Sequence, residues 1–243
     1  MIGSFLNVLI YRIPEGKDFV KERSHCPNCG KLVFWYENIP VLSYIFLKGK
    51  CSKCGWKIPL IYPTVEIITG LASWALMPTI LDSMNLGLYL FFFSVFCCFL
   101  VHFIIDVKVQ ILPDVINIFL GVVFLAYAIS FYSYNFWLLG AGVGYFFPYL
   151  VSYGFKKLRG VDGLGLGDVK LFGVLGIMLG PLGIVQNIFM SCMLGTIVFL
   201  ILIPVFKLNR ETKVPFGPFI ILVASAQIFF PDAFDKFSRL LFF

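Results

Sequence analysis

Charged residues are scarce in this sequence, and the scarcity excludes a water-soluble fold. Only 13% of the 243 residues are charged while 60% are hydrophobic, and the mean hydropathy is +0.93. A soluble domain carries roughly 25% charged and ~45–50% apolar residues. A chain of this size must show water a polar exterior, and too little polar material is present to build one. No basic stripe with interleaved aromatics lies outside the apolar stretches, so the net charge of +6 does not indicate nucleic acid as a partner. The N-terminus lacks the basic region and small-residue cleavage site of a signal peptide. Internal repeats and low-complexity tracts are not evident. What is abundant is Phe, 29 residues spread over long runs. The lipid bilayer is the solvent.

About 20 apolar residues are needed for a helix to cross the hydrocarbon layer. That length predicts spans near 60–80, 86–105, 111–131, 136–155, 170–187, 189–206 and 216–231. The fifth and sixth nearly abut, which predicts a sharp turn around Asn187 to Met190. Met1–Tyr11 is apolar but too short to span alone, and reads as the tail of a helix or an interfacial stub. The fold class is therefore all-α and polytopic, with about seven to eight transmembrane helices. The expected domains are 1–11 as the end of a first apolar helix, 12–59 as a polar loop, 60–231 as the transmembrane core and 232–243 as a tail. Gly140, Gly142 and Gly144 lie within a span, where small residues let helix backbones approach.

Lys and Arg collect on the cytoplasmic side of membrane proteins. Nine of the 19 lie between Arg12 and Lys57. Lys156, Lys157, Arg159 and Lys170 border the loop near 156–169, and Lys207, Arg210 and Lys213 fill the one near 207–214. The alternate loops, 81–85 and 132–135, have none, and crossing parity agrees. Segment 12–59 and the two basic loops are thus expected in the cytoplasm. Lys236 and Arg239 are the exceptions.

Within that first cytoplasmic segment, Cys26-Pro27-Asn28-Cys29 and Cys51-Ser52-Lys53-Cys54 form a CxxC-x21-CxxC array. Two-residue spacing lets both thiolates of a pair reach one tetrahedral ion, and the intervening loop brings the second pair round. Two disulfides are the alternative, but they need an oxidising compartment. Four thiolates leave no open coordination position, so a Zn²⁺ ion here is expected to be structural. His25 is surplus to the four. Cys97, Cys98 and Cys192 lie in apolar spans and read most simply as small buried hydrophobes.

The informative acids border apolar spans. Asp106 ends the run from Phe91, Asp114 follows Leu112-Pro113, and Asp168 closes Gly163-Leu164-Gly165-Leu166-Gly167 directly before a helix. Glu66 lies inside the first span. Such acids are costly in a membrane and usually face a bundle interior or a watery cavity. Two carboxylates held close cannot both ionise easily, which yields an acid and a base sharing a proton. The ordinary alternative is that Asp168 is a helix cap and the others face water. His102, one turn before Asp106, reads as a packed or hydrogen-bonded histidine.

Several motifs together resemble the type IV prepilin leader peptidases, the bacterial G-x-G-D membrane aspartic proteases. They are Gly3-Ser4-Phe5-Leu6-Asn7-Val8 with Tyr11-Arg12-Ile13-Pro14, the paired CxxC, Asn38-Ile39-Pro40 and Tyr62-Pro63-Thr64-Val65-Glu66. Asp106 with Leu112-Pro113-Asp114, Gly165-Leu166-Gly167-Asp168-Val169-Lys170 and Pro215-Phe216-Gly217-Pro218 complete the series. The resemblance implies an aspartic endopeptidase of the bacterial inner membrane that cuts the basic leader from prepilins or pseudopilins at the cytoplasmic face. It implies Asp106 and Asp168 as the catalytic pair, with Asp114, Gly165, Gly167 and Lys170 as neighbours. It also implies a second activity, N-methylation of the new N-terminus with S-adenosylmethionine. No G-x-G-x-x-G for the methyl donor is present, and Glu66 with the cytoplasmic loop are the candidates. The competing classes are a transporter or channel using the same acids as ion ligands, and a non-catalytic assembly scaffold.

Overall fold

Helices account for nearly all the regular structure. In the computed structural model they are α1 (Ile2–Arg12), a 3₁₀ turn (Trp35–Asn38), α2 (Leu42–Phe46), α3 (Ile61–Leu76) and α4 (Ser83–Val109). After them come α5 (Asp114–Phe131), α6 (Tyr134–Arg159), α7 (Leu166–Phe206), α8 (Gly217–Phe229) and α9 (Pro231–Phe242). The structure describes every residue except 21, 81, 161–162, 207–213 and 243, with backbone alone for 202–206 and 241–242. The basic loop expected near 207–214 thus lies almost wholly outside the described residues. The chain divides into two units, Met1–Phe93 and Ser94–Phe243.

In the first unit α1 packs on α3 through its small and polar face. Gly3 must be glycine, because a Cβ there would stand 2.8 Å from the Glu66 Cα. The Ser4 hydroxyl donates to Asn38 Oδ1 (2.9 Å) and the Asn7 amide to the Tyr62 carbonyl (3.0 Å). Arg12 is buried and donates to the carbonyls of Asp18, Glu22 and Arg23 at 2.7–3.1 Å. The polar letters of the Gly-Ser-Phe-Leu-Asn motif are therefore interior ties. α3 stops at Leu76, two residues before Pro78, where the chain turns extended.

The second unit contains α5, α6, α7, α8 and α9 with most of α4. Four helical runs among the described residues are long and apolar enough to cross a bilayer: Ser83–Val109, Asp114–Phe131, Tyr134–Arg159 and Leu166–Ile201. α8 and α9 meet at a bend of 114°. The last of the four runs is not one rod. Gly180 has φ +67 and ψ −179, and a Cβ on Gly144 of α6 would strike the Phe172 carbonyl and lie 3.1 Å from Ile184 Cγ1. In a continuous helix those twelve residues would be about 18 Å apart, so α7 doubles back at Gly180.

The turn expected at Asn187 to Met190 is thus seven residues earlier, at Gly180-Pro181. Glycine accepts the left-handed conformation and proline withholds an N–H from the helical ladder. Asn187, which reads as a turn residue, is fully buried and donates to Gln227 Oε1 (2.8 Å), while Gln227 donates to the Gly183 carbonyl (2.9 Å). These bonds join the second half of α7 to α8. Gly140 and Gly176 lie so close that a Cβ on either would strike the other's carbonyl. Gly140 and Gly144 serve packing as expected, whereas a Cβ on Gly142 would meet nothing within 4 Å.

Candidate active site and metal centre

The two CxxC segments fold as copies of one turn. Cys26 N–H donates to Lys31 O and Cys51 N–H to Trp56 O, both 2.8 Å, while Gly30 and Gly55 donate to Cys26 O and Cys51 O, both 2.9 Å. Gly30 (φ +66) and Gly55 (φ +71) take the same left-handed conformation. Isolated β-bridges at His25–Leu32 and Lys50–Lys57 flank them. Every pair is offset by the same 25 residues, an internal repeat that the sequence reading missed. Its signal was the shared C-x-x-C-G pattern, too short to register as a repeat.

This duplication brings all four sulfurs within 4.8 Å of one another, with Cys26–Cys54 at 3.9 Å and Cys29–Cys51 at 4.0 Å. A tetrahedral ion with metal–sulfur bonds of about 2.3 Å needs sulfurs roughly 3.8 Å apart. All four thiols are free. Hydrogen bonding from the Asn28 amide, with help from the Trp56 N–H, brings the Cys54 thiol down to about 6. Backbone N–H groups of Cys54 and Lys53 likewise lower Cys51. At Cys29 the Lys31 N–H favours the thiolate, but burial and the neighbouring thiols outweigh it and push the group up to about 11. Lys31 clamps the cluster by reaching Glu37 (2.7 Å) and Ser52. Burial pulls the Glu37 carboxyl upward, yet hydrogen bonds from Lys31, Ser52 and the Phe34 N–H leave it below its ordinary value. Lys31 is raised, chiefly by its bond to Glu37.

Beside the cluster is a cavity lined by Asn7, Asn38, Tyr44, Tyr62 and Glu66 among others. Glu66 Oε2 accepts the Val41 N–H at 2.8 Å.

Asp106 lies in the last turn of α4, its side chain buried. The backbone N–H of Gly217, the first residue of α8, donates to Asp106 Oδ2 at 3.0 Å. Asp168 lies in the first turn of α7, half-buried, and its carboxylate accepts the Gly165 N–H. The two carboxylates are within Coulombic reach of each other. Leu112 connects them: a Cβ on Gly167 would lie 3.1 Å from Leu112 Cβ, and a Cβ on Gly217 would lie 3.1 Å from Leu112 Cδ2. Close approach explains the glycines. A Cβ at Gly217 would stand 2.7 Å from Asp106 Oδ2, and one at Gly165 2.9 Å from Asp168 Oδ2. Gly217 was seen in the sequence only as part of a motif; its role at Asp106 depends on a contact 111 residues away.

The remaining acids divide differently. Asp114 is exposed at the start of α5 and both its oxygens accept from Lys170 Nζ at 2.8 Å. His102 is fully buried, with Nδ1 3.0 Å from the Cys98 carbonyl and Nε2 3.1 Å from the Asn117 amide. It is the hydrogen-bonded core histidine the sequence suggested.

Fold and site together define a class: an all-helical, multi-pass membrane protein with two acids at helix ends and a four-cysteine cluster. The chain belongs to the type IV leader peptidase family. Residues 91–200 match the model of that family and residues 1–80 the bacterial peptidase A24 N-terminal domain. The chain is 34% identical to the prepilin leader peptidase/N-methyltransferase of Dichelobacter nodosus, covering 90% of this chain and 85% of the relative. It is 32% identical to that of Xanthomonas campestris pv. campestris (98% and 91%) and 30% identical to that of Burkholderia pseudomallei strain 1026b (96% and 84%). No solved structure matches.

Proposed function

We propose that this chain is a prepilin leader peptidase of the bacterial inner membrane, with Asp106 and Asp168 as its catalytic carboxylates. The observation that carries the assignment is their pairing: two acids on separate helices, within Coulombic reach and each held by a glycine N–H. Neighbouring carboxylates divide one proton between them. The ionised member takes a proton from water as that water attacks the scissile carbonyl, and the protonated member donates to the carbonyl oxygen. The N-terminus of α8 faces Asp106 and Asp168 sits in the first turn of α7, so a helix N-terminus favours the anion at either acid, and one serves as base while the other serves as acid. Gly165 and Gly167 let Asp168 and Leu112 approach the backbone closely beside the pair. Asp114, bound to Lys170, stays outside the pair as a neighbour.

The substrate is a prepilin or pseudopilin, whose basic leader stays in the cytoplasm while its apolar helix remains in lipid. The distribution of Lys and Arg supports a cytoplasmic face for the site. Zn²⁺ is the ion for Cys26, Cys29, Cys51 and Cys54, since its preference for four thiolates matches the sulfur spacing. Its part is to hold the first unit together.

Methylation of the new N-terminus belongs to the first unit, in the cavity beside the cluster. Glu66, Asn7 and Asn38 supply acceptors there and Tyr44 and Tyr62 supply aromatic faces, a set that fits a polar cation with a planar base. S-adenosylmethionine, when bound, supplies the methyl group. Glu66, held by the Val41 N–H, is positioned to attract a positive centre. Co-expression with a prepilin tests both activities through the mass of the processed pilin. Loss of the leader supports the peptidase, and a further gain of one methyl group supports the transferase. An intact prepilin rejects the assignment.

A further inference from the structure

Part of the segment that reads as a cytoplasmic loop is tied to the sides of α1 and α3, well below the ends from which the loop departs. Arg12 closes α1 among the carbonyls of Asp18, Glu22 and Arg23, and α3 starts at Ile61. Asn38, the last residue of the 3₁₀ turn, accepts from Ser4, about 12 Å back along α1 from Arg12. Val41 donates to Glu66, roughly 8 Å into α3 from Ile61. Two separate bonds thus set the 3₁₀ turn and α2 at the same depth. On α3 itself Leu60, Ile67, Leu71 and Trp74 are all exposed. At 100° per residue they form one apolar stripe, the side that lipid covers in the span expected over 60–80, and Glu66 stands on its flank.

α2 has two unlike sides. Ser43 and Tyr44 line the cavity beside the cysteines, and the Tyr44 hydroxyl donates to the Ile58 carbonyl at 3.4 Å. Leu42, Ile45 and Phe46, at spacings of three and four residues, point away from it and are 52%, 62% and 81% exposed. The 3₁₀ turn packs on α2 and adds Trp35, also 81% exposed. Lys48 and Lys50 follow directly and are exposed as well.

We propose that residues 35–46 are seated in the cytoplasmic leaflet of the bilayer, with Lys48 and Lys50 on the headgroups of anionic phospholipids. The depth of the two ties identifies the occupant. An interfacial helix buries its apolar side about 5–10 Å into the boundary between headgroups and acyl chains, and α1 and α3 hold α2 at that level. Trp is favoured there, and lysines beside the boundary are attracted by anionic lipid. The outer side of α2 continues the lipid-facing stripe of α3, so one surface of the first unit passes from the span into the headgroup layer. The cysteine cluster then stands at the membrane surface rather than free in the cytoplasm.

The test uses the full chain in nanodiscs of phosphatidylethanolamine and phosphatidylglycerol, and needs no prepilin. A photo-crosslinking benzoylphenylalanine replaces Phe46, or Glu22, which is exposed at the Arg12 end of α1. Illumination is expected to give phospholipid adducts from 46 at ten or more times the yield from 22. Equal yields, or adducts from 46 with a protein instead of lipid, would overturn the seat. Amide exchange of the native chain supplies a measurement without substitution at the face. Exchange across residues 42–50 is expected to be at least fivefold slower in nanodiscs containing phosphatidylglycerol than in phosphatidylcholine alone. Lys48→Glu with Lys50→Glu should remove that difference. The same exchange rate in both lipids would overturn the role of the lysines. Neither result depends on cleavage or methylation, so a failure here leaves those assignments standing.

Discussion

Gly217 donates its backbone N–H to Asp106 Oδ2 across 3.0 Å, from 111 residues further along the chain. The bond aims the positive end of α8 at a carboxylate in the last turn of α4. Asp168 has a glycine donor of its own, Gly165, so each of the two acids is tied by a backbone N–H from a different part of the chain.

Gly217→Ala puts a methyl group 2.7 Å from Asp106 Oδ2, so the bond must lengthen or break. A hydrogen bond to a charged group contributes about 1.5–3 kcal/mol, equivalent to a rate loss of roughly 10- to 150-fold. Prepilin cleavage in proteoliposomes is the measurement. A native rate would remove Gly217 from the site.

Asp106→Asn and Asp168→Asn are each expected to stop cleavage, with losses on the order of 10²–10⁴ or more, because one residue cannot act as both acid and base. Both variants should still insert in the membrane, as judged by protease protection. Processing at the native rate by either would reject the pair.

Cys51→Ser removes one of four sulfur ligands, and the metal content of the purified protein should fall from one Zn²⁺ per chain towards zero. Structural zinc and folding are coupled, so the first unit should become sensitive to protease and methylation should be lost. Cleavage should continue, since both acids lie in the second unit. Elemental analysis of the native protein that finds no zinc would end this account.

The Lys31–Glu37 clamp predicts a pH dependence. The Glu37 carboxyl is lowered from 4.5, so its contribution is complete above that value and is lost as pH falls through the lower folded value. Lys31 is raised from 10.5, so its contribution is complete below that value and is lost as pH rises through the higher folded one. Glu37→Gln should therefore speed amide exchange across residues 31–37 at neutral pH. The difference from the native chain should vanish in acid, below the Glu37 transition. A difference that persists there would assign the effect to packing.

Gly180→Ala forces a side chain into φ +67 and against the Phe136 ring. A backbone at φ +67 and ψ −179 is adopted readily only by glycine and costs another residue about 1–3 kcal/mol, and the clash adds to it. A lower midpoint in thermal unfolding is expected, and an unchanged one would show that the hairpin tolerates another geometry.

Much of the fold was legible because membrane helices announce themselves. Backbone groups in lipid must be satisfied within the segment, so each crossing leaves a long apolar run. The CxxC pairs were legible for a similar reason: coordination chemistry restricts ligand spacing. Neither signal located the reversal in α7, where the polar Asn187 suggested a turn but in fact pairs with Gln227. Local sequence cannot separate a polar residue that faces solvent from one with a buried partner.

By itself the sequence determined a multi-pass helical protein, a four-thiolate cluster and the set of acids in play, since hydropathy and ligand spacing act over short stretches of chain. Only the tertiary structure decided which acids meet, which glycine supports Asp106, and that the two cysteine turns are copies of one another. Those facts are contacts between residues remote in the chain, and they come into being only when helices pack.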